Sequence, residues 1–133
     1  MVASGQLVGL DGKNYTSAYV EGTGNTRYFT DAAGRTLYIF TNDSQNKNTF
    51  TKPDFSNDGA WPIFYEEIEH LPTGMSASDF GEMEVHGREQ LTYKGWPVYY
   101  FGQDAAKGDN KGVSVPVPGK WPVLTAETTP APL

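Results

Sequence analysis

No cysteine occurs in the 133 residues. Disulfides, cysteine-based zinc or iron–sulfur sites, c-type haem attachment and a lipid anchor on a thiol within these residues are therefore excluded. Lysine and arginine are few, 10 against 16 acidic residues, for a formal net charge of −6, and they are scattered singly. That balance lacks the basic footprint that phosphate backbones or anionic lipids require, so no nucleic-acid partner is expected. No apolar stretch approaches the length of a membrane span. The opening "MVASGQLVG" has neither the basic segment nor the apolar segment of a secretory signal, although a chain from which a leader had been removed would read the same way.

What is abundant points one way. Aromatics make up 14% of the chain, with 15 glycines and 9 prolines. This is the composition of short strands joined by tight turns. The expected fold class is all-β. A chain of this length can bury about two thirds of the surface that its unfolded form exposes, enough for one core without covalent staples.

The strongest pattern is an internal repeat. When Gly34 is set against Gly95, "TDAAGRTLYIFTND" (30–43) and "TYKGWPVYYFGQD" (92–104) run in register. Leu37 then matches Val98, Tyr38 matches Tyr99, Phe40 matches Phe101 and Asp43 matches Asp104. After a one-residue gap, Trp61-Pro62-Ile63 meets Trp121-Pro122-Val123, so the copies extend over about residues 27–64 and 90–124. Each copy reads as a strand, turn residues ("DAAG" or "KG"), an apolar strand, a polar loop and Trp-Pro. Strand parity puts Tyr38 and Phe40 on one face and Leu37 and Ile39 on the other, and both faces are apolar, as in a strand covered on both sides. Two copies are too few for a solenoid. The expectation is one pseudo-twofold domain over 1–124, a small sandwich or barrel-like body with Trp-Pro segments closing each repeat and a Thr/Pro-rich tail at 125–133. The tail reads as untethered or as the start of a linker.

Asp43 and Asp104 each follow an apolar run. The expected role is to accept hydrogen bonds from amides two or three residues on, ending the strand. Calcium is the alternative, with Asp43, Asn46 and Asn48, or Asp104, Asp109 and Asn110, as oxygen ligands. Neither loop has the alternating acids and terminal Glu of an EF-hand.

"GRTLYIFTND" and "GWPVYYFGQD" both fit a Tyr-x-aromatic-x-x-Asp signature, and in this the chain resembles the secreted-repeat lipoproteins of bacteria, a family without an assigned activity. "QLTYKGWPVYYFGQD", "KGDNKGV" and "GKWPV" are especially similar to that family's second repeat. The resemblance covers most of 27–124. It implies an exported protein of the cell envelope (periplasm or cell surface), often lipid-anchored by a segment that would lie upstream of residue 1, and sometimes found beside electron-transfer components. Many members carry a Cys pair in the loop before the first Trp-Pro. Here that loop, "NTFTKPDFSNDGAWP", has none, with Phe50 and Phe55 available to pack in its place, so a redox role dependent on such a pair is ruled out.

Few constellations suggest catalysis. There is no Gly-x-Ser-x-Gly elbow, "EGTGNT" lacks the lysine of a phosphate loop, and neither of the two histidines has a triad context. No catalytic residue is assigned and the reading leans away from an enzyme. The segment "EEIEHLPTGMSASDFGEMEVHG" (66–87) gathers His70, His86, Met75 and Met83. Imidazole and thioether suit copper, and both serve as axial ligands to haem. Strand parity over 80–86 opposes a shared site, since Met83 and Val85 point one way and Glu82, Glu84 and His86 the other. Trp61 and Trp121 are expected as buried anchors because they recur at equivalent places. Trp96, beside a turn, is the candidate for an exposed, sugar-stacking aromatic. Three functional readings follow: a non-enzymatic envelope module binding an envelope protein or small ligand, a copper, calcium or haem carrier, and a glycan-binding β module.

Overall fold

The computed structural model describes residues 2–66 and 76–132. It is all-β, with short strands and two 3-10 turns at Ala77–Asp79 and Lys111–Ser114. β1 (Val2–Gly5) pairs with β4 (Thr26–Phe29), and β2 (Leu7–Val8) pairs with β3 (Asn14–Tyr15) across the Asp11-Gly12 turn. The largest sheet has the order β5-β8-β7-β6, built from β5 (Tyr38–Ile39), β6 (Phe80–Val85), β7 (Arg88–Tyr93) and β8 (Trp96–Tyr99).

Both expected hairpins form. In the second, Lys94 and Gly95 take positive φ values of 49° and 86°, the conformation of a two-residue turn that follows the twist of the flanking strands. In the first, Asp31 and Arg35 are joined through Ala32, Ala33 and Gly34, with Gly34 at φ 90°. The extra residue of "DAAG" is absorbed in the turn, leaving the bridge Thr30–Thr36 in the place of the pair Thr92–Pro97.

The two repeats meet strand to strand. β5 and β8 run antiparallel with Tyr38 opposite Tyr99 and Ile39 opposite Val98, so a pseudo-twofold axis passes through the tyrosine pair. The Trp-Pro segments obey the same symmetry by crossing over. Ile63 bridges to Tyr99 and Val123 bridges to Tyr38. The Tyr100 amide donates to the Pro62 carbonyl at 2.8 Å, and the Ile39 amide donates to the Pro122 carbonyl at 3.0 Å. Phe64 and Leu124 donate to Val98 and Leu37 in the same way. Each Trp-Pro segment therefore closes the other repeat. The physical reason is that β5 and β8 are too short to cover their own backbone groups, and the strand that satisfies them comes from across the axis.

On one face of this sheet lies a core of Tyr28, Tyr38, Phe40, Trp61, Tyr99, Phe101, Val113, Trp121 and Val123, and on the other a core containing Phe29, Leu37, Ile39, Leu91, Trp96, Val98 and Leu124. The apolar strands are thus covered on both sides. Trp61 and Trp121 stack at 3.8 Å between centroids and 6° between planes, directly on the symmetry axis. Phe40 stacks on Trp121 at 4.1 Å, and Phe101 lies against Trp61 at 4.5 Å.

Two expectations are corrected here. Trp96 is 8% exposed, and its indole N–H donates to the Thr129 carbonyl at 2.7 Å. The segment after residue 124 is not untethered. Lys94 Nζ donates to the Thr128 carbonyl, the Ala131 amide to the Lys94 carbonyl, and the Gln45 amide to the Pro132 carbonyl. A Thr/Pro-rich stretch cannot fold alone, but its carbonyls serve the unpaired donors of the Lys94-Gly95 turn and the indole.

Gly112 sits where a Cβ would lie 2.6 Å from Cη2 of Trp61 and 3.0 Å from Cε2 of Tyr38. Gly112→Ala is expected to cost about 1–3 kcal/mol through overpacking, measured as a fall in the urea midpoint, whereas Gly24→Ala, where nothing lies within 4 Å of the added Cβ and φ is not positive, is expected to cost less. Equal losses at the two positions would show that the close approach to Trp61 is unimportant.

Candidate functional site

The signature residues are brought together, in exchanged partnership. The Tyr38 hydroxyl donates to Asp104 Oδ2 at 2.6 Å, and the Tyr99 hydroxyl donates to Asp43 Oδ2 at 2.6 Å. The second oxygen of each carboxylate holds the loop that follows. Asp43 Oδ1 accepts from the Thr49 amide at 2.8 Å and hydroxyl at 2.7 Å, and Asp104 Oδ1 accepts from the Lys111 amide at 2.9 Å. The aspartates therefore pin amides six and seven residues on rather than two or three. The expectation of a local turn-ending role is corrected, because the polar loops fold back over the aromatic core before they are fixed. The Gly112 amide donates to the Tyr38 hydroxyl at 3.2 Å.

Burial sets the electrostatics of this cluster. Asp43 is 2% and Asp104 5% exposed. Desolvation, the leading cause, raises both carboxyls above the ordinary 3.8, against the lowering by the tyrosine hydroxyls and the loop donors. Burial also lifts the phenols of Tyr38 and Tyr99 well above 10, with the facing aspartate as the next cause. The tyrosines are neutral donors, and each carboxyl has a donor on both of its oxygens.

Two of the four proposed metal ligands, Met83 and His86, are described. His70 and Met75 lie outside the described residues. Met83 is half-buried on β6 opposite Gln90, while Glu82 and Glu84 face outward, as parity required. His86 lies beyond the strand, at φ 48° in a two-residue turn with Gly87, where Nε2 is 3.0 Å from the Thr51 carbonyl and the ring meets Phe55 edge-on. Among the described residues no group of three or more His, Asp or Glu is placed to hold a metal ion. In the loops offered for calcium, Asn48 Oδ1 accepts from the Phe50 and Thr51 amides, Asn110 Oδ1 from the Val8 amide, and Asp109 Oδ2 from the Ala106 amide. Those oxygens already brace the protein.

A concave surface opens beside the paired repeats, a groove of about 720 Å³. Ile39, Trp96, Pro122 and Val123 give it an apolar lining, Tyr19, Thr26 and Arg27 contribute from the first part of the chain, and Thr125, Glu127, Thr128 and Thr129 from the C-terminal segment. Tyr19 is held by the Val123 amide, which donates to its hydroxyl at 2.8 Å, and burial pushes its phenol up to about 12. Sequence reasoning found only Trp96 of this group. The signal available was the three threonines among the five residues after Trp-Pro-Val-Leu.

A compact β body of two interlocked repeats, with its signature residues turned inward, defines the class of protein. Residues 84–125 match the model of a family described as a secreted repeat of unknown function, the family to which the signature pointed. The match takes in the whole of the second repeat, and the description supports export. No curated protein and no solved structure matches the chain. Among the described residues no helix is long and apolar enough to cross a membrane.

Two outcomes test the exchanged pairs. Tyr99→Phe and Asp43→Asn should each cost about 1–3 kcal/mol by leaving a buried partner unsatisfied. Combined, they should show a coupling of about 0.5–3 kcal/mol that exceeds the coupling between Tyr38 and Asp43 of the same repeat. The reverse order in denaturant titrations would contradict the exchange. Linkage gives the second outcome. A carboxyl that holds its proton more tightly folded than unfolded makes the native state take up protons first as the pH falls. Stability should therefore rise from neutral pH toward the ordinary value of 3.8 and gain nothing further from these groups below it. Falling net charge acts in the same direction down to the pI of about 4.7, so the informative comparison is with Asp43→Asn/Asp104→Asn, in which the rise should be smaller. An unchanged pH profile in the double variant would assign the effect to net charge alone.

Proposed function

We propose that the protein is a non-enzymatic module that acts outside the cytoplasm and binds an envelope component, a protein or a small ligand, through the groove beside the paired repeats. The carrying observation is the division of labour between the two regions. The signature tyrosines and aspartates satisfy one another inside the core, which leaves them no free base or nucleophile for a reaction. The groove has instead the size of small-molecule sites, about 300–1,000 Å³, with an apolar lining and several polar groups at its margin. The description of the matched family as secreted supports an exported setting.

Amide hydrogen exchange tests this reading. Mixed with solubilised envelope material, the full chain should show slowed exchange at Thr26, Arg27 and residues 125–129, and no slowing with a cytosolic extract. Exchange in the groove that is unaffected by envelope material would contradict it.

A further inference from the structure

We propose that the groove is a saccharide site, taking a short, uncharged, polyhydroxylated chain against its apolar floor; this rests on the reading of the groove as the binding surface. The lining carries many short polar side chains that both donate and accept. Ser17, Thr41, Thr125, Thr128 and Thr129 line it together with Ile39, Trp96, Pro122 and Val123. Sugars present the same alternation, hydroxyls at the ring edge and C–H groups on the ring faces. Their binding sites combine an apolar surface with fixed polar groups that set orientation.

One charged group in this lining lacks a partner among the described residues. Arg27 is exposed, and its guanidinium enters neither of the ion pairs among the described residues. It offers five donors in a fixed fork to vicinal hydroxyls. Glu127, also exposed, is the lining's acceptor of full charge.

Charge and backbone chemistry narrow the ligand. Arg27 and Glu127 cancel within the lining, which matches a neutral ligand, and the net charge of −6 on the chain disfavours an acidic one. A peptide added as a strand needs a free sheet edge. On the β5 side the Ile39 and Thr41 amides already donate to the Pro122 and Lys120 carbonyls, and the Thr41 hydroxyl to the Lys120 carbonyl. The C-terminal segment completes the site. Trp96 is held under it by the 2.7 Å bond to the Thr129 carbonyl, and the Thr125 amide donates to Thr128 Oγ1.

The test is a ¹⁵N–¹H titration of the full chain with maltotriose, cellotriose and tri-N-acetylchitotriose. At least one should shift Thr26, Arg27 and residues 125–129 together with the Trp96 indole signal. Arg27→Ala, which breaks no contact of the folded protein, should weaken that binding about tenfold or more, the range for a charged hydrogen-bond donor. Thr129→Val should weaken it too while leaving thermal stability unchanged, because Thr129 is exposed in the lining and its hydroxyl makes no hydrogen bond among the described residues. No shift with any of the three sugars, shifts elsewhere on the surface, or affinity indifferent to both substitutions would overturn the proposal. Periodate treatment of envelope material separates it from the broader reading. Protection of the groove that survives glycan oxidation would sink the saccharide and keep the binding surface, whereas protection that vanishes supports both.

Discussion

The structure depends on an exchange. Each repeat ends its apolar strand with an aspartate whose tyrosine comes from the other repeat, and each Trp-Pro segment lies along the other repeat's hairpin. A buried carboxylate is costly unless fully hydrogen-bonded. In each repeat a fixed loop and a partner strand supply that satisfaction jointly. The Trp61–Trp121 stack on the axis fills the space that the exchange encloses. Neither repeat has a closed core or a complete polar cluster without its twin, so the folding unit is the pair. The family match over 84–125 therefore covers about half of what must fold together.

This arrangement gives the signature a structural meaning. Tyr-x-aromatic-x-x-Asp puts the tyrosine and the second aromatic on the same strand face, one to reach across the axis and the other to pack against a Trp-Pro indole. The aspartate then stands far enough along to receive the other tyrosine and pin the following loop. A pattern kept for these reasons says little about chemistry at the surface. The functional features lie in what the paired repeats carry beside them, chiefly the Tyr19–Arg27 region and the segment after Leu124.

Much of the frame was legible in the residues. Alternation and turn chemistry gave both hairpins and the parity of β6, because these follow from local backbone geometry, and the recurrence of Trp-Pro at equivalent places gave the burial of Trp61 and Trp121. The direction of pairing was not legible. Tyr38 could meet Asp43 or Asp104 equally well in a string of letters, and only the antiparallel meeting of β5 and β8 selects the second. The same limit hid the groove. Thr125 to Thr129 look like a linker by composition, and their carbonyls acquire partners only once Trp96 and Lys94 are in place. Trp96 was misread for the same reason, since what buries it is more than 30 residues away along the chain.

The central claim is the exchange, and the tyrosine hydroxyl protons report it most directly. Buried and hydrogen-bonded, they should exchange slowly enough with water to be seen by NMR in the full chain. The account predicts that the Tyr38 hydroxyl proton shows nuclear Overhauser contacts to the Lys111 and Gly112 amides, and the Tyr99 hydroxyl proton to the Thr49 amide. Contacts from Tyr38 to Thr49 and from Tyr99 to Lys111 would place each tyrosine on the aspartate of its own repeat and contradict the interlocked pair.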